Sequence, residues 1–118
     1  MVVIRIFPTP PSLNNLYCNI PGRGRIKSGG YTAWLLGAGL VVNAQKVKPF
    51  DGPVDVTVRL PAGVRGDADN RVKPVLDLLK KCGVIKNDSR KFVRSATGMW
   101  TDDEECTVEI VSVEQRVA

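Results

Sequence analysis

The chain contains no histidine. That absence excludes a histidine general base, Ser-His-Asp and Cys-His pairs, and any zinc site that needs imidazole. Cysteine is scarce: Cys18, Cys82 and Cys106 are odd in number, far apart, and form no C-x-x-C pair. They make neither a disulfide framework nor a good structural zinc site, and they suit a reducing compartment. A metal in this protein is therefore expected to be hard and oxygen-bound, Mg²⁺ first and Mn²⁺ as the alternative. Long apolar runs are missing too, since none approaches the roughly eighteen residues of a membrane span. The first apolar run carries Arg5 and is followed by Pro8, Pro10 and Pro11, unlike a signal peptide. The expectation is a cytoplasmic protein with no membrane partner.

At 118 residues the chain is expected to be one domain, residues 1–118, with a single modest core. Seventeen Lys and Arg stand against twelve Asp and Glu, a formal net charge of +5. That balance favours a polyanionic partner, nucleic acid first.

Val2 to Phe7 is β-branched and reads as a strand stopped by Pro8. Asn14-Asn15-Leu16-Tyr17 reads as a loop, with Asn14 and Tyr17 as candidate contacts to a phosphate or base and turn chemistry as the plainer role. Pro21 to Gly30 reads as a flexible basic loop whose Arg23, Arg25 and Lys27 suit a phosphate backbone. Tyr31 to about Val47 has a helical pattern ended by Pro49, with Trp34 as packing. Val54 to Leu60 alternates strictly and is the clearest strand. A second helix follows, to about Cys82, with Asp69 or Asn70 as N-cap and Gly83 just past its end. Val72, Val75, Leu76 and Leu79 form its core stripe, and Asp69, Lys73, Asp77 and Lys80 or Lys81 its other side. Phe92 to Trp100 is strand-like but interrupted by Gly98, Thr101 to Glu105 reads as an acidic hairpin tip, Cys106 to Val113 as a last strand, and Glu114 to Ala118 as tail. The string βαβαββ implies an α+β, two-layer domain: a mixed sheet of about four strands with two helices on one face.

Gly66-Asp67-Ala68-Asp69-Asn70-Arg71-Val72-Lys73, with Asp77 and Asp88 downstream, is where the chemistry concentrates. In extended chain Asp67 and Asp69 point to the same side. Carboxylates gathered this way repel one another unless a cation sits between them. Asp67, Asp69 and Asp88 converging on one point would hold one or two hard cations; paired ions in phosphodiester chemistry stand roughly 3.5–4 Å apart. Lys73 would meet charge building on the phosphate. Singly, each residue also fits a plainer role: Asp67 and Asp69 as loop solubilisers and cap, Lys73 as a helical partner of Asp69 and Asp77, Asp88 as a turn residue.

Asp67-Ala68-Asp69-Asn70-Arg71-Val72-Lys73, then Val75 to Leu79, then Cys82-Gly83-Val84-Ile85-Lys86-Asn87-Asp88, resembles the RusA family of Holliday junction resolvases. These are crossover-junction endodeoxyribonucleases, often carried by phages and prophages. The family pattern is D-x-D-N-x-x-K, a helix with an aspartate, a glycine, then an acidic pair. Pro11 to Tyr17 and the basic loop before Tyr31 also look like the family, so the resemblance spans nearly the whole chain. It implies a homodimeric, Mg²⁺-dependent nuclease that places paired nicks across a four-way DNA junction, in recombination and repair. By matching position Asp67, Asp69 and Asp88 would be metal-binding carboxylates, Lys73 the catalytic lysine, and Asn70 and Asp77 supporting residues. Asn87-Asp88 departs from the acidic pair and leaves one carboxylate there. The alternatives are a metal-dependent nuclease of other branched DNA, a non-catalytic branched-DNA-binding module, and a small structural protein whose Asp-x-Asp-Asn only caps a helix.

Overall fold

The computed structural model describes residues 1–114; the part of the expected tail beyond Glu114 lies outside the described residues. Strand β1 (Val2–Ile6) is followed by a short hairpin, β2 (Tyr17–Ile20) and β3 (Gly24–Lys27), and by helix α1 (Gly29–Ala44). Strand β4 (Val54–Leu60), helix α2 (Val72–Lys81), β5 (Val93–Trp100) and β6 (Cys106–Ser112) complete the order. The main sheet runs β1-β6-β4-β5, with β4 and β5 parallel and the other pairs antiparallel. The fold is therefore α+β with a mixed four-stranded sheet and two helices, as expected.

One core lies between the helices and a single face of the sheet. Ile4, Ile6, Val54, Val56, Val58, Leu60, Val108 and Ile110 come from the sheet. Tyr31, Trp34, Leu35, Ala38 and Val42 meet them from α1, and Val72, Val75, Leu78 and Leu79 from α2. The alternation in β4 survives intact, because its even-numbered positions all enter this core. Burying a Val or Leu side chain stabilises by about 1.5–3 kcal/mol, so these positions dominate the fold's stability.

Several elements differ from expectation. Pro21 to Gly30 is not simply a loop: Tyr17↔Lys27 and Cys18↔Ile26 pair as an antiparallel ribbon, and Arg23 sits at its turn. Ser28 then N-caps α1 by accepting from the Tyr31 amide at 3.1 Å, while its hydroxyl donates to the Asn15 carbonyl at 2.7 Å. The helix thus starts two residues earlier than its apolar pattern. It also stops at Ala44, before Pro49, because Gln45 turns its amide back to β1. Gln45 accepts from the Arg5 amide at 2.9 Å and donates to the Arg5 carbonyl at 2.8 Å. Leu36 and Leu40 of α1 are 66% and 69% exposed, an uncharged outer stripe.

Thr101 to Glu105 is not a hairpin tip, since β5 and β6 flank β4 rather than each other. The acidic stretch instead carries the chain past the end of β4, where Asp103 meets Arg59 at 3.4 Å. Asp102 to Glu105 are nonetheless exposed, as a solvated turn should be. On the sheet face away from the helices, Asp55 is 4% exposed and accepts from Arg94 and from Ser95.

Candidate active site

The parallel pair β4–β5 requires a crossover, and the crossover is α2. The Asp-x-Asp-Asn segment is the first half of that connection. Asp67 is extended (φ −83°, ψ 143°), and its carbonyl accepts from the Asn70 amide at 3.2 Å to open a 3-10 helix, Ala68–Arg71. Asp69 and Asn70 therefore lie inside that turn. Neither caps α2, whose N-cap position is Arg71. The expectation that Asp67 and Asp69 share a side as extended chain fails for the same reason: the chain coils from Ala68 onward.

The coil is imposed by two contacts. Ala68 presses on β5 at Gly98, where an added Cβ would stand 2.5 Å from the Ala68 carbonyl oxygen. Only glycine leaves room for backbone against backbone there. Arg71 then donates to the Pro10 carbonyl and, at 3.2 Å, to the Arg65 carbonyl, tying the proline-rich segment and the preceding loop to the turn.

Lys73, in the first turn of α2, is the centre of a polar chain. Its ammonium is 3.1 Å from Asp77 Oδ1 and 3.7 Å from Asp88 Oδ2. The Tyr31 hydroxyl donates to Asp77 Oδ2, so the same carboxylate receives α1 on one oxygen and Lys73 on the other. Asp88 reaches Lys73 because Gly83 (φ +76°) turns the chain after α2. Gly83 donates to the Lys80 carbonyl at 3.1 Å and Val84 to the Leu79 carbonyl at 2.9 Å, a Schellman cap. Partial burial alone would lower the pKa of Lys73. The hydrogen bond and charge of Asp77, then the charge of Asp88, outweigh it and hold the ammonium above its ordinary value. Burial, then the hydrogen bond and charge of Asp77, push the Tyr31 phenol far upward.

Asp67 and Asp69 are exposed, and among the described residues their side chains make no hydrogen bond or ion pair. Their oxygens are free for a cation, and an all-carboxylate set suits Mg²⁺. As placed, no three Cys, Asp or Glu side chains among the described residues are grouped to hold a metal ion. The structure brings Asp88 to Lys73 and Asp77, on the same connection as Asp67 and Asp69.

The DNA-contact candidates gather around Tyr17. Asn14, Tyr17 and Arg25 line an open cavity of about 600 Å³, with the Arg25 guanidinium 4.5 Å from the centre of the Tyr17 ring. Tyr17 and Lys27 also line a second cleft, of about 460 Å³, together with Lys73 and Asp77. Lys27 lies 5.9 Å from the centre of the Tyr31 ring. Arg23, at the hairpin turn, borders neither cavity.

Three residues escaped the sequence reading. Tyr31 looked like a helix start, yet it is the buried donor to Asp77. Arg71 was the unremarked residue of the motif. Gly98 looked like a flaw in a strand, although an isolated strand glycine often marks a close backbone approach, and that signal was readable. No protein-family model matches the chain, and no curated protein matches it.

Proposed function

We propose that this protein is a structure-selective DNA endonuclease that resolves four-way junctions by Mg²⁺-dependent phosphodiester hydrolysis, as the RusA resemblance implies. The observation that carries this reading is Lys73 held between Asp77 and Asp88, on the same strand-to-helix crossover as the unpaired Asp67 and Asp69. Asp67, Asp69 and Asp88 would hold the cation, which supplies water activation and charge neutralisation at the phosphate. Asp77 is already bonded to Tyr31 and Lys73, so its part is to aim Lys73. Lys73 keeps its proton at neutral pH and meets negative charge developing on the phosphate oxygens. Arg25 and Lys27 line the neighbouring cavities and grip the backbone with Asn14 and Tyr17, and Arg23 adds its charge from the hairpin turn. Asn70, whose amide closes the 3-10 turn on the Asp67 carbonyl, is the supporting residue that the resemblance implies.

Paired nicks across a symmetric junction need two active sites, and a homodimer in solution is part of the proposal. The uncharged outer stripe of α1, with Leu36 and Leu40, suits such contact. Among the described residues, no helix is long and apolar enough to cross a membrane.

The test is a labelled synthetic four-way junction incubated with purified protein, with and without Mg²⁺, beside duplex and flap controls. Symmetric nicking of the junction alone, lost in Asp69→Asn and Lys73→Ala while binding persists, is the expected result. Cleavage of flaps as readily as junctions points to a nuclease of other branched DNA. Junction binding by the wild type with no metal-dependent cleavage leaves only a DNA-binding module.

A further inference from the structure

Lys80 and Lys81, in the last turn of α2, have an ordinary use as cations near a helix C-terminus. Their surroundings ask for more. Both line the cleft of about 460 Å³ with Lys27, Lys73, Tyr17, Leu35 and Asp77. Four lysines thus line the cleft with one acidic residue, and Asp77 is already bound to Lys73 and Tyr31. Among the described residues none of Lys27, Lys80 and Lys81 forms an ion pair with an acidic side chain. Lys73, by contrast, forms two. Like charges gathered without counter-charges repel, and an anion in the cleft removes that repulsion.

The shape selects the kind of anion. The cleft is open and shares Tyr17 with the adjoining cavity of Asn14, Asn19 and Arg25. A compact anion occupies one cavity; a linear polyanion passes Tyr17 and reaches both. Tyr17 and Leu35 give the cleft apolar wall between the charges, as a sugar-phosphate chain would require.

We propose that Lys80 and Lys81, with Lys27 opposite, form a phosphate seat that carries the backbone of a DNA strand away from the Lys73 site along α2. The ligand class rests on the nuclease reading; the seat itself rests on the lysine cleft. It adds a grip to the hairpin side, so the strand is held both before and after Lys73.

The experiment uses fluorescence anisotropy with a labelled four-way junction in EDTA, across a salt series, so that binding is read without cleavage. Each lost phosphate contact lowers the slope of log affinity against log salt by about 0.9. Lys80→Ala/Lys81→Ala should therefore lower the slope by about 2 and weaken binding about tenfold or more, uniformly across sequences. Lys27→Ala should lower it by about 1. Lys86→Ala is the control, because Lys86 pairs with Asp51 outside the cleft, and it should leave the slope unchanged. Lys80→Gln/Lys81→Gln, which keeps much of each side chain's length, should reproduce the double alanine result. Wild-type affinity and slope in both double variants overturn the seat, whatever the nicking assay shows. Absence of DNA binding by the wild type overturns it as well. A reduced slope in a protein that nicks nothing upholds the seat and removes the nuclease.

Discussion

Asp77 and Asp88 live in circumstances opposite to those of Asp67 and Asp69. The first pair is partly covered, 14% and 28% exposed, and bound to Lys73. Asp67 and Asp69 are exposed and, among the described residues, unpartnered. A carboxylate bonded to a phenol and an ammonium steadies the helices that carry them. A carboxylate left in water adds almost nothing to folding, and two in a short turn add mild repulsion. The contrast separates two tasks that the sequence presents as one acidic cluster. Asp77 is a positioning residue joining α1 to α2; Asp67 and Asp69 are held open by a backbone turn that neither stabilises with its side chain. Lys73 stands where the two tasks meet.

The comparison breaks most clearly in activity. Asp69→Asn and Lys73→Ala should each cut metal-dependent junction nicking by about 100-fold or more, read as initial rates on the labelled junction. If only Asp77→Asn has that effect, the division of labour is wrong. Next in size is Gly98→Ala. Overpacking costs about 1–3 kcal/mol, and the Ala68 backbone has to move to admit the methyl group. A lowered urea midpoint with nicking reduced in parallel is expected; nicking intact at full stability would unlink the turn from β5.

Tyr31→Phe is of comparable size, at about 1.5–3 kcal/mol for a hydrogen bond to a charged group. Its pH dependence has a definite sign. The folded protein holds the phenol's pKa above its ordinary 10.0, so it keeps a proton that the unfolded chain releases. The Tyr31 contribution is complete below about pH 10 and declines as pH rises further. The deficit of the variant should therefore be constant from neutral pH to about pH 10 and narrow beyond it, measured by chemical denaturation. The smallest effect belongs to Asp67→Asn, whose stability should stay within about 0.5 kcal/mol of wild type. A loss above that would mean the open carboxylates also hold the fold.

Much of the fold was legible because it is written in periods. The alternation of Val54 to Leu60 and the helical stripe of Val72, Val75, Leu76 and Leu79 led directly to β4, α2 and the sheet class, although Leu78 is fully buried and Leu76 only partly. Gly83 announced the end of α2 by the conformation it alone adopts cheaply. The β2–β3 ribbon was not legible, since glycines and cations in Pro21 to Gly30 hide a pairing set by the Ser28 cap and the Tyr17–Lys27 register. The partners of Asp77 were also hidden: Tyr31 lies forty-six positions away, and local spacing cannot announce a contact made by packing two helices. The aspartates and Lys73 were visible as candidate chemistry; Tyr31 and Arg71 were not, and the sorting into paired and open acids needed three dimensions.

The outer strand β1 carries one more consequence. Gln45 engages both main-chain groups of Arg5 on that strand. A side-chain amide has the same donor and acceptor as a peptide, so the rung is filled by a mimic of the missing neighbour. A strand from another chain, approaching that border, finds the Arg5 rung already taken. One carboxamide thus does at that rung what a neighbouring strand would do, and ties the outer strand to the end of α1.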